Sequence, residues 1–148
     1  IKPGHLLLGY SDDRSQESAA LQIKRWFEGE GWDVCLYSFD PYFVHADCTL
    51  AMLTDNLAAA CTDVLTEEVR SWLHGLGIEL LDVPFRYIGE LGINVVSLGA
   101  ERVLLPQQSD YLADRCRGLG LTVYDPDVAA ITQVGGGIHC MCQPLTRD

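Results

Sequence analysis

Residues 26–37 read WFEGEGWDVCLY, residues 72–83 read WLHGLGIELLDV, and residues 113–124 read ADRCRGLGLTVY. Each segment closes an amphipathic run with Gly-x-Gly and passes directly into an apolar stretch. The second glycines, Gly31, Gly77 and Gly120, lie 46 and 43 residues apart, and self-similarity on that period marks a repeat architecture. A helix C-terminus takes a left-handed residue, which glycine supplies without a Cβ clash. The runs before the glycines have helical apolar spacing. Leu21, Ile23, Trp26 and Phe27 share one face, with Ser15 and Ser18 as capping candidates. Leu65, Val69, Trp72, Leu73 and Leu76 follow in the second run, with Thr66 as N-cap and Glu67 and Glu68 in the first turn. Tyr111, Leu112, Cys116 and Leu119 form the third, with Ser109 as cap. Strand-like runs precede the helices at 5–10, 48–54 and 94–98, the last extended by 101–105. The expected unit is one or two strands, a helix and a further strand, with a right-handed crossover. This is an α/β chain of three similar units, roughly 1–43, 44–92 and 93–148, in a single domain.

Composition fits that reading. The 148 residues are 48% hydrophobic and 21% charged, as in a globular domain rather than a disordered tail. Ten basic against twenty-one acidic residues give a net charge of −11, which argues against a phosphate-binding nucleic-acid groove and suits a cationic ligand. No apolar run approaches the ~20 residues of a membrane span, and no signal peptide is visible, so no membrane role and a cytoplasmic location are expected. Of the six cysteines, Cys35, Cys48, Cys61 and Cys116 lie inside apolar patterns and read as small buried hydrophobes in a reducing compartment. The chain opens on Ile1 without an initiator Met, so residue 1 is not expected to be the natural start of translation.

Two places break the repeat with reactive side chains. In FVHADCTL at 43–50, His45 and Asp47 are two apart and, on a strand, point to the same side. In GGGIHCMCQPL at 135–145, three glycines permit close backbone approach and lead directly to His139 and Cys140. A cysteine after a glycine loop with a remote His beside an Asp is the Cys/His arrangement of covalent catalysis. A zinc site from His139, Cys140, Cys142 and His45 is the rival chemistry, although Cys-x-Cys lacks the usual paired spacing. Neither a metal nor another cofactor is expected.

The run GGGIHCMCQPLTRD at 135–148 resembles the C-terminal nucleophile motif of guanidino-group modifying enzymes: arginine deiminases, dimethylarginine dimethylaminohydrolases and amidinotransferases. VHADCTL at 44–50 is similar to their His-x-Asp motif, and GYSDDRS at 9–15 to their strand-end Ser/Arg motif. All three occur in the family's order and together cover essentially the whole chain. The resemblance implies a pentein, a fan of five ββαβ units, of which about three are present. It implies Cys140 as nucleophile and His45 as general acid/base. Asp47 would grip a substrate guanidinium, Arg14 would hold its α-carboxylate, and Gly136 and Gly137 would line the substrate site. His139 and Met141 fall at variable positions, and Asn94 is taken as structural.

The implied activity is amidinohydrolase or amidinotransferase chemistry on arginine or a methylated arginine, through an amidino intermediate on Cys140. The family carries further acidic residues in a loop ahead of the strand that ends at Gly9, and Asp12, Asp13 and Asp40 are not at that place. The chain is therefore expected to be the C-terminal part of a longer enzyme, or to pair with another chain that completes the fan. The alternatives are an incomplete pentein serving as a binding or assembly module, and the Cys/His metal-binding protein.

Overall fold

Gly31, Gly77 and Gly120 adopt φ of 83°, 69° and 85° and turn each helix into the next strand, as their spacing predicts. After each glycine a backbone amide reaches back to the helix: Trp32 N to Phe27 O, Ile78 N to Leu73 O and Leu121 N to Cys116 O, each 3.0 Å. The computed structural model describes residues 1–143.

In the first unit, β1 (His5–Tyr10) leads through α1 (Glu17–Gly29) to β2 (Asp33–Ser38), and the two strands pair in parallel. In the second, β3 (Leu50–Thr54) and β4 (Leu57–Ala60) form a hairpin; α2 (Glu67–Gly75) follows, and β5 (Glu79–Asp82) pairs parallel to β4. The third repeats this with β6 (Val96–Gly99), β7 (Arg102–Leu104), α3 (Asp110–Gly118) and β8 (Thr122–Tyr124). Two short helices, α4 (Ala129–Thr132) and α5 (Ile138–Met141), come after the last strand.

The helices differ from expectation in their details. Gln16, not Ser15 or Ser18, starts α1, and the Asp12 carboxylate accepts from Glu17 N at 3.0 Å. Thr66 caps α2 by accepting from Val69 N. Ser109 sits at the start of α3 but donates to Leu91 O at 2.9 Å instead of capping. Trp26 is 62% exposed. The buried side of α1 runs through Ala20 and the half-buried Ile23 and Phe27, and Trp26 lies one position around from it. β3 begins at Leu50, because Cys48 belongs to the preceding turn.

Apolar packing joins neighbouring units. One buried cluster takes Cys35, Tyr37 and Phe39 from the first unit with Ala58, Ala60, Val69 and Leu73 from the second. The other takes Leu53, Ala59 and Leu81 from the second with Val95, Val103, Leu112 and Cys116 from the third. Polar contacts tie the same junctions: Trp72 Nε1 donates to Asp33 at 2.6 Å and Ser97 Oγ to Leu53 O at 2.8 Å. β1 stands apart. It carries three leucines, yet none of its six residues is fully buried, and among the described residues it pairs on one side only.

Candidate active site

The His45 segment is a chain of tight turns, not a strand. Asp40 accepts from Tyr42 N at 2.8 Å and starts a 3-10 turn at Pro41–Phe43. Val44 follows at φ 63°, ψ −52°, and His45 N donates to Phe43 O at 2.6 Å. That closes a γ-turn with positive φ, which a β-branched residue adopts only under strain. His45 itself is extended, and a second 3-10 turn, Ala46–Cys48, begins immediately after it. The strand argument for a shared side therefore fails: the backbone changes conformation between His45 and Asp47.

Buried hydroxyls pin this second turn. Thr49 Oγ1 donates to Ala46 O at 2.8 Å and lies 3.0 Å from Tyr37 Oη, both side chains being fully buried. With the Thr49 proton committed to Ala46, the phenol is the donor in the second bond. Burial pushes the Tyr37 phenol above its ordinary value, so it keeps its proton. Beneath the turn, a Cβ on Gly9 would come within 2.7 Å of Ala46 Cβ and 2.9 Å of the Phe39 ring. Glycine at the end of β1 lets the turn sit down on the strand.

The glycine run brings the second motif against the first. Gly135 is at φ 81°, and Gly137 is extended at the start of α5. A Cβ on Gly137 would fall onto the Asn94 carboxamide. Asn94 is buried, and both ends of its amide are used: Nδ2 donates to Cys140 Sγ at 3.3 Å, and Oδ1 accepts from His139 N at 2.8 Å. The His139 ring then reaches the other motif, with Nδ1 2.8 Å from Asp47 Oδ2. That hydrogen bond, followed by the charges of His139 and His45, holds the Asp47 carboxyl below the usual carboxylate range despite opposing burial. Cys48 is pushed up, first by burial and then by the charges of Asp47 and Cys140.

Cys140, Asp47, Gly136 and Gly137 thus belong to one constellation, with His45 on the turn that carries Asp47. Cys140 is exposed, and so is His45, whose ring makes no hydrogen bond among the described residues. Arg14 lies in the loop after β1 and pairs with Asp13 at 3.3 Å, both side chains largely exposed. Two residues were undervalued in the sequence. Asn94 holds the cysteine, and its signal was a carboxamide placed inside the apolar run GINVV, where a buried amide must find partners. His139 pairs with Asp47, and nothing in local spacing connects positions 92 residues apart. Among the described residues, no three His, Cys, Asp or Glu side chains are grouped to hold a metal ion. The remainder of the C-terminal motif, Pro144–Asp148, lies outside the described residues.

The βαβ unit and the two ββαβ units that follow it are those of the pentein fold of guanidino-group modifying enzymes, and solved structures show the same architecture. The N-terminal domain of ArgZ, a cyanobacterial arginine dihydrolase, matches with a TM-score of 0.77 at 16% identity, over 95% of this chain and 51% of that one. SxtG, an amidinotransferase from Microseira wollei, matches at 0.78 and 17%, over 95% and 44%. A dimethylarginine dimethylaminohydrolase from Pseudomonas aeruginosa, complexed with citrulline, matches at 0.72 and 20%, over 93% and 50%. Within that class, residues 6–147 match the family described as N,N dimethylarginine dimethylhydrolase, eukaryotic, and the chain belongs to it. An uncharacterised Bacillus subtilis protein, YkgA, is 23% identical over 105 residues, which are 71% of this chain and 36% of that protein. The chain spans about half the length of the solved structures it matches and about a third of this curated relative.

Proposed function

We propose that this chain carries the cysteine side of a guanidino-group modifying centre, an amidinohydrolase or amidinotransferase acting on arginine or a methylated arginine. The observation that carries the reading is the link between the two motifs: Asn94 holds Cys140 Sγ while the adjacent His139 bonds Asp47. A nucleophile and a carboxylate able to bind a cation therefore share one site.

A guanidinium carbon is a weak electrophile because its charge is delocalised. Asp47 fixes the cation, and the Cys140 thiolate adds to the carbon, forming a C–S bond. The C–N bond to the leaving amine then breaks, and His45 delivers the proton that amine needs. The amidino group remains on sulfur. His45, now neutral, removes a proton from water, which adds to the same carbon and expels the thiolate; an amine in place of water gives transfer. The exposure of His45 suits this shuttle, since solvent and an acceptor amine can reach its ring. Arg14 turns from Asp13 to the substrate carboxylate, and the backbone at Gly136 and Gly137 admits the substrate close to sulfur.

Residues beyond this chain supply the remaining carboxylates, either from the rest of a longer protein or from another chain. The six free cysteines fit a reducing cytoplasm. The half-buried, one-sided β1 favours a second reading, a binding or assembly module that associates through that edge.

Peptide mapping after treatment with 2-chloroacetamidine, a cationic alkylating agent, tests the reading. Cys140 and Cys142 are both exposed. The amidine is expected to modify Cys140 first, and Asp47→Asn is expected to erase that preference. Equal modification of the two cysteines in the unaltered protein would overturn the assignment.

A further inference from the structure

The carboxylate assigned to the substrate cation is already engaged. Asp47 Oδ2 lies 2.8 Å from His139 Nδ1. A guanidinium binds a carboxylate best through two parallel hydrogen bonds, which require both oxygens. The imidazole cannot keep Oδ2 while a bidentate cation takes it. His139 is also tethered where it can return, because its backbone amide is bonded to Asn94 Oδ1 at 2.8 Å. Its ring is partly open to solvent, with 39% side-chain exposure against 26% for Asp47, so it has room to swing away.

We propose that His139 is the resident counter-ion of the cation subsite, occupying Asp47 until a guanidinium or amidinium displaces it. The inference rests on the functional reading above, in which Asp47 binds the cation. The ring and the ligand compete for one carboxylate oxygen, so cation recognition strengthens when the imidazole is removed. The other titratable groups bearing on the pair are His45, on the same turn as Asp47, and Cys48, which faces both Asp47 and Cys140.

The test compares alkylation of Cys140 by 2-chloroacetamidine and by neutral 2-chloroacetamide, followed on the full chain by peptide mass. Both reagents have the same leaving group and nearly the same size, so their rate ratio cancels ionisation of the thiol and reads the cation subsite. His139→Gln is expected to raise the ratio about threefold or more by freeing Asp47, with its fold checked by circular dichroism. Asp47→Asn is expected to bring the ratio down, and to do so with or without His139. An amidine preference that depends on Asp47 but is unchanged or lowered in His139→Gln overturns the counter-ion role and leaves the functional reading standing. No amidine preference, unchanged by Asp47→Asn, overturns both.

Discussion

Asn94 anchors the cysteine motif through both ends of its carboxamide, and Gly137 is what lets it. The carboxamide occupies the space a Cβ on Gly137 would take, so the glycine serves close approach rather than flexibility. Gly137→Ala is expected to destabilise the protein by about 1–3 kcal/mol in urea unfolding. The loss should be smaller in an Asn94→Ala background, because the two changes share one contact. Additive losses would show that the alanine strains the chain elsewhere. Cys140 and the glycine run could be singled out in the sequence, because a thiol after three glycines is a local pattern. The partner that holds the sulfur was not, since a buried carboxamide declares its importance without declaring what it bonds.

The strand–helix–strand units were read almost to the residue wherever period and glycine punctuation agreed, as at β1 and the ends of α1, α2 and α3. The reading failed between Asp40 and Thr49, where hydrophobic pattern has no period and side-chain hydrogen bonds set the backbone. There the Val44 γ-turn and the Thr49 hydroxyl act together, one tightening the turn and the other pinning it. Val44→Gly is expected to relieve strain worth about 1–3 kcal/mol, partly offset by glycine's extra entropy when unfolded. Thermal stability should rise or hold while the amidine preference at Cys140 declines, because the turn carrying Asp47 is no longer constrained. A fall in stability with the preference intact would show that the γ-turn has no bearing on the site. Thr49→Val takes away the buried Tyr37 hydroxyl's partner and one of the two hydrogen bonds to Ala46 O, the backbone one from Thr49 N remaining, and should cost about 1–3 kcal/mol, with Thr49→Ser recovering most of it.

Across the molecule, apolar clusters between successive units supply the cohesion, and buried thiols sit within them. Burial pushes the Cys35 and Cys116 thiols up from their ordinary value of 9.0 to about 11. A folded value raised above the unfolded one means that this stability is fully present below about pH 9 and lost as pH climbs towards about 11. Melting temperature should therefore decline over that window, and Cys116→Ala should shallow the decline; an unchanged slope would assign it to other groups. Pattern and glycine spacing were enough to specify three α/β repeats, because helix periodicity, strand alternation and left-handed caps are properties of neighbouring residues. They also set the segments of Cys140 and of His45 and Asp47 apart as breaks in the repeat. Which of these meet, and through whom, depended on folding the third unit against the second. Only that packing sets His139 on Asp47 and Asn94 beneath Cys140, since contacts between residues dozens of positions apart follow from how the units stack and leave no local periodicity to read.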